Sequence, residues 1–144
     1  MRVLATYEMK DNNGKVILFY LVSDKHRQWG NPNKSIWTVL PKEEYHCFQF
    51  TYQNNWIEVN DAWGYLPGGG KHLKILGRGI NGEKLQLARF RRDPNATEWH
   101  GYPCNYISNT YDIPSTSIMK QWVEKKVITK AKMSKIQQGI ACNL

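Results

Sequence analysis

Two Asn-Gly dipeptides, Asn13-Gly14 and Asn81-Gly82, each lie between runs of β-branched and aromatic residues, and they narrow what this chain can fold into. Glycine reaches positive φ without steric cost, so Asn-Gly between strand-like runs marks a hairpin. The first joins residues 3–7 to 15–22, and the second joins 73–78 to 84–90. Further strand-like runs occupy 36–40, 45–52 and 56–59, the first of them stopped by Pro41 and a single helical turn at 41–44. The run 45–52 and the run 56–59 flank the polar Gln53-Asn54-Asn55 and read as one more hairpin.

Helical spacing emerges only after Pro114. Ile118, Met119, Trp122, Val123 and Val127 recur at three- and four-residue intervals behind Ser115. Thr129 can cap a second helix over 130–138, with Met133, Ile136 and Ile140 on one side and Gly139 as terminator. The expected fold is α+β in one domain, 1–144: a mostly antiparallel, hairpin-built sheet of about six or seven strands within 1–111, and a pair of short helices within 114–140 packed on one face.

Charge is distributed unevenly. Residues 1–70 carry seven Lys/Arg and seven Asp/Glu, whereas residues 71–144 carry thirteen against five, so the whole net charge of +8 sits in the second half. Such a field concentrates polyanions, of which nucleic acid is the commonest. Lys120, Lys125, Lys126, Lys130, Lys132 and Lys135 all fall on the helical pair. The pair has the spacing of a helix-turn-helix, but strands precede it, and an amphipathic pair with solvated lysines fits as well.

Residues 85–104 concentrate cation, aromatic and imidazole more than any other stretch: Arg89, Arg91 and Arg92, then Trp99, His100 and Tyr102. A metal-free ribonuclease needs a base that titrates near neutrality and cations to stabilise the phosphorane. His100 is the candidate base. Arg91 and Tyr102 complete the candidate catalytic set, with Tyr102 serving as acid or as a stacking partner and Asp93 as an orienting group. Arg89, Arg91, Arg92, Trp99 and Tyr102, with Lys120, Lys130, Lys132 and Lys135, form the candidate nucleic-acid-binding set. The same stretch also reads as a turn with packing residues beneath it. If Leu85 and Leu87 look inward, Arg89 and Arg91 point toward a cleft; if Phe90 does, they face solvent.

Other motifs are weaker. Lys25-His26-Arg27 reads as a solvated loop, and Gly68-Gly69-Gly70 as a linker, because no phosphate-binding glycine pattern surrounds it. His46 and Cys47 would point opposite ways on a strand, and His100 with Cys104 lacks the second pair a zinc site needs. No metal or cofactor is expected. Asn95-Ala96-Thr97 matches a glycosylation sequon without a secretion signal beside it. The three cysteines, lacking CxxC spacing, suit reduced thiols in the cytoplasm, and no apolar run is long enough to span a membrane.

Six tryptophans exceed what one small core can hold, so several are expected at surfaces. The expected function is binding of RNA or single-stranded nucleic acid through the basic half, with metal-free ribonuclease activity at His100, as in a ribonuclease toxin. The alternative is a non-enzymatic module that neutralises an acidic partner protein, of the immunity-factor or inhibitor type.

Overall fold

The computed structural model describes residues 2–27 and 33–144, so Trp29 and the loop residues Gly30 to Pro32 lie outside the described residues. In chain order the elements are β1 (Val3–Lys10), β2 (Val16–Ser23), β3 (Ile36–Trp37), α1 (Pro41–Gln53), β4 (Ile57–Glu58), β5 (Asp61–Gly64), β6 (Gly77–Arg78), β7 (Lys84–Leu85), β8 (Leu87–Arg91), β9 (Glu98–Cys104), α2 (Thr116–Glu124) and α3 (Lys130–Gln137). Six strands form a sheet in the order β1-β2-β9-β8-β5-β4, and β3-β6-β7 form a second, three-stranded sheet. The fold is α+β. All pairs are antiparallel except β2 with β9, which run parallel.

Both Asn-Gly sequences close hairpins, and they do so alike. Each loop holds three residues, with Asp11 N–H donating to Lys15 O at one and Gly79 N–H to Glu83 O at the other. Only the glycine takes positive φ, 79° at Gly14 and 81° at Gly82, as a type I turn followed by a left-handed residue demands. The strand expected over 73–78 contracts to Gly77–Arg78. The run expected as one strand over 84–90 breaks at Gln86, dividing into β7 and β8.

The segment 45–52 is helix, not strand. Its aromatic content suggests β structure, but the buried residues of α1 are Glu44, Tyr45, Cys47, Phe48 and Thr51, a spacing that only a helix turns to one side. Pro41 opens α1 at its first turn, where the missing N–H costs nothing. Asn55, at φ 57°, turns the chain out of it. His46 is exposed and Cys47 buried. Phe48 packs on Tyr20, Phe90 and Trp99, with ring centroids 4.8, 5.3 and 5.6 Å away.

The central sheet is covered on both faces. Tyr20, Ala62, Ala88, Phe90 and Trp99 face α1 in one core. Trp63, Leu87 and Cys104 face a second core with Trp56, Tyr65, Tyr106 and the α2–α3 residues Ile118, Met119, Trp122 and Ile136. The two cores together account for the tryptophans: Trp37 and Trp99 are buried in the first and Trp56, Trp63 and Trp122 in the second, against the expectation of several at the surface. α2 and α3 begin behind Ser115 and Thr129, whose hydroxyls accept from Ile118 N–H and Lys132 N–H. No described helix is long and apolar enough to cross a membrane.

Candidate functional site

The register of β8 and β9 decides where the 85–104 side chains go. Leu87 pairs with Cys104, Arg89 with Tyr102 and Arg91 with His100, while β5 sets Trp63 beside Arg89 and Asp61 beside Arg91. Alternation puts all of these on one face, which grades from apolar at Leu87 and Cys104 to polar at Arg91 and His100. The strand is buried on both faces, since Phe90 enters the other core. Gly101, between His100 and Tyr102, permits this close pairing: a Cβ there would stand 2.3 Å from Phe90 Cδ1.

At the polar end the surface opens into a cleft of about 740 Å³, lined among others by Lys25, His26, Lys34, Arg91, His100 and Tyr102. Of the expected catalytic residues, His100, Arg91 and Tyr102 therefore converge. His26 and Lys25 arrive from the end of β2, where Ser23 Oγ accepts from Lys25 N–H and caps a short 3₁₀ turn over Asp24–His26. The His26 ring stacks on Tyr102, centroids 5.0 Å apart and planes 19° from parallel. Its Nδ1 lies 3.0 Å from Ser35 O. A carbonyl can only accept, so Nδ1 carries the proton and neutral His26 keeps a lone pair on Nε2.

Burial disfavours the charged form of both imidazoles. His26 is pushed down to about 4 by burial, partly offset by the Ser35 hydrogen bond and reinforced by Lys34, His100 and Lys25. His100 is lowered by burial and then by Arg91, with Asp93 acting the other way. Both settings therefore favour the neutral ring.

The arginines do three different things. Arg89 is buried: its guanidinium donates to Asp61 Oδ1 at 3.0 Å and to Tyr102 Oη at 3.2 Å, 3.8 Å from Asp112 and 5.5 Å over the Trp63 ring. Enclosed and paired, it is not placed to meet a phosphate. Arg91 keeps 54% of its side chain exposed, with Nε 3.3 Å from Asp61 Oδ1, and lines the cleft. Arg92 turns to the other face, donating to Asn60 Oδ1 and Val59 O and lying 5.1 Å over Trp99. Trp99 itself is 1% exposed, which removes it as a stacking platform for a base.

The Tyr102 proton is already committed within the fold. The hydroxyl donates to Asp112 Oδ1 at 2.6 Å, and burial followed by that carboxylate drives its pKa upward. Asp112 also accepts from Asn105 N–H at 2.9 Å. Tyr102 is instead the surface on which His26 rests.

Lys120, Lys130 and Lys135 are exposed on α2 and α3 and Lys132 is half-buried. None lines the cleft, and among the described residues none has a carboxylate within 4.0 Å. His100 and Cys104 stand four residues apart on an extended strand, roughly 13 Å, too far to share one ion. Burial raises the Cys104 thiol well above its ordinary value, which leaves it inert. The residues that sequence reasoning missed are His26, Lys25, Lys34, Asp61 and Asp112. The triplet Lys25-His26-Arg27 was the available signal, but nothing local relates it to a strand more than seventy residues later.

No protein-family model, curated protein or solved structure matches this chain.

Proposed function

We propose that the protein binds single-stranded RNA, with a phosphodiester seated in the cleft between the 3₁₀ turn at 24–26 and β9, and with proton transfer at His100. The observation that carries this is the convergence of two neutral imidazoles with Lys25, Lys34 and Arg91 in one concavity. The nearby carboxylates are already engaged, Asp112 with Tyr102 and Asn105 N–H and Asp61 with Arg89 and Arg91. The cations of the cleft thus outnumber its free anions, and a bound phosphate supplies the missing negative charge. The lysines of α2 and α3 add a sequence-independent attraction for the flanking backbone.

Three free cysteines, two of them buried, suit a reducing compartment, so the site of action in this reading is the cytoplasm. The neutralising-module alternative drew on exposed aromatics. With five tryptophans buried, it loses that support.

The test is a fluorescence-anisotropy titration of single-stranded RNA across a salt series. Binding weakens with log[salt], and Lys25→Ala with Arg91→Ala lowers both the affinity and the steepness of that dependence by about two phosphate contacts. Affinity that is absent at low salt, or unchanged in the double variant, excludes the cleft as the binding site.

A further inference from the structure

We infer that His26 and His100 act together on one RNA phosphodiester, His26 as base and His100 as acid, so that the chain cleaves RNA by internal transesterification. The inference rests on the RNA-binding reading above and adds a second catalytic residue and a product class to it.

The geometry comes first. His100 and Tyr102 are two residues apart on β9, on the same face, hence roughly 7 Å apart. Since the His26 ring lies over that of Tyr102, the two imidazoles occupy neighbouring positions on the wall of one cleft. The cleft they share, about 740 Å³, has room for a phosphate, and Arg91 and Lys25 line it as well. The roles follow from the partners. His26, its proton fixed on Nδ1 by Ser35 O, presents a lone pair at Nε2, which has no partner among the described residues. His100 makes no ring hydrogen bond among the described residues, and Asp93 favours its charged form. A bound phosphodiester does the same by offsetting Arg91 and Lys25, so His100 is the group that becomes imidazolium in the complex.

The step balances without water, metal or redox partner. The ribose 2′-oxygen attacks phosphorus while His26 Nε2 takes the 2′-hydroxyl proton. The P–O5′ bond breaks as His100 gives its proton to the departing 5′-oxygen. The products are a 2′,3′-cyclic phosphodiester and a 5′-hydroxyl end, and both rings return to their starting state by exchange with solvent. Arg91 and Lys25 stabilise the charge gathering on the equatorial oxygens. DNA, lacking the 2′-hydroxyl, binds and survives.

The experiment incubates end-labelled single-stranded RNA and the matched deoxyoligonucleotide with the full chain in the presence of a chelator, and identifies the new termini by mass spectrometry. The expected result is cyclic-phosphate and 5′-hydroxyl ends from RNA alone. His26→Asn and His100→Asn each lose 10²- to 10⁴-fold in rate while RNA affinity persists. The rate–pH profile is bell-shaped. His26, facing Lys25, Lys34, Tyr102 and His100, sets the acid limb, and His100, facing Arg91, Asp93 and Lys25, sets the alkaline one.

RNA that is bound but left intact overturns this inference and leaves the binding reading standing, whereas absence of binding overturns both. Cleavage of DNA at a comparable rate, non-cyclic ends formed directly, or an unimpaired His26→Asn also overturns it. The product analysis needs only the unaltered protein, so it decides the matter even where a variant misfolds.

Discussion

The protein contains two clusters of the same chemical make-up, a carboxylate bound by a tyrosine hydroxyl and an arginine, in opposite settings. In the first, Tyr20 donates to Glu44 Oε2 at 2.5 Å and Arg27 reaches Glu44 Oε1 through Nε and NH2 at 3.1 and 2.9 Å. In the second, Tyr102 donates to Asp112 at 2.6 Å and shares Arg89 with Asp61. Glu44 and Tyr20 are sealed, and burial lifts Glu44 to about 7 despite Tyr20 and Arg27. The Tyr102 cluster borders the cleft, and its tyrosine carries His26 on its ring.

A closed cluster of this kind holds chain segments together. Arg27, which also donates to Val39 O at 2.8 Å, ties the 3₁₀ turn to α1 and so fixes the neighbouring His26. The open cluster uses the same bonds to orient groups toward solvent. The difference lies in enclosure rather than in residue type.

The sharpest way to break this contrast is Arg27→Met, which leaves Glu44 buried without its cation. Removing one partner of a buried pair costs about 3–5 kcal/mol, and a urea melt is expected to register a loss in that range. A loss below about 1 kcal/mol, the value of a solvated pair, would mean that Glu44 is not enclosed. The next effect comes from deleting the two hydroxyls. Tyr20→Phe strips a sealed carboxylate of a donor and costs about 1–3 kcal/mol. Tyr102→Phe costs less, since water from the cleft can replace the hydroxyl, and it leaves the ring beneath His26 intact. Equal losses in the two variants would erase the distinction between the clusters.

The smallest effect is a slope. Glu44, facing Tyr20, Arg27 and Cys47, has a raised folded pKa, so its contribution to stability is full below about 4.5 and is lost as pH rises through about 7. His26 has a depressed one, so its contribution is full above 6.5 and is lost as pH falls through about 4. Between pH 4.5 and 6.5 Glu44 opposes His26, and His100, also lowered by burial, acts in the same sense as His26. Relative to the unaltered protein, Glu44→Gln should therefore make stability rise more steeply with pH, and His26→Asn should make it rise less or fall. Changes of slope in the same direction in both variants would contradict the opposition.

Much of the architecture can be read locally. Gly14 and Gly82 terminate strands by a backbone requirement that needs no tertiary partner, and Ser115 and Thr129 start helices by capping bonds within one turn. The segment 45–52 defeats such reading because Tyr45, Phe48, Phe50 and Tyr52 favour a strand by type. What makes it helical is that Phe48 and Cys47 have a sheet face to bury against, which the chain builds only later from β8 and β9. The cleft is divided in the same way. Arg91, His100 and Tyr102 stand out in sequence, whereas Asp61, Asp112 and His26 reach them through pairings and loop returns that no local pattern encodes.

The two Asn-Gly hairpins, the C-terminal helical pair, the α+β class and the gathering of cations in the second half are legible in the residues alone, because each depends on neighbours within a few residues or on charge alone. Which cations end up enclosed was settled only when the strands paired. Strand register buried Arg89 against Asp61 and Tyr102 and left Arg91, also paired with Asp61, at the opening. It also sent Trp99 into one core and Trp63 into another. A guanidinium or an indole behaves according to what encloses it, and enclosure arises only when distant strands come together.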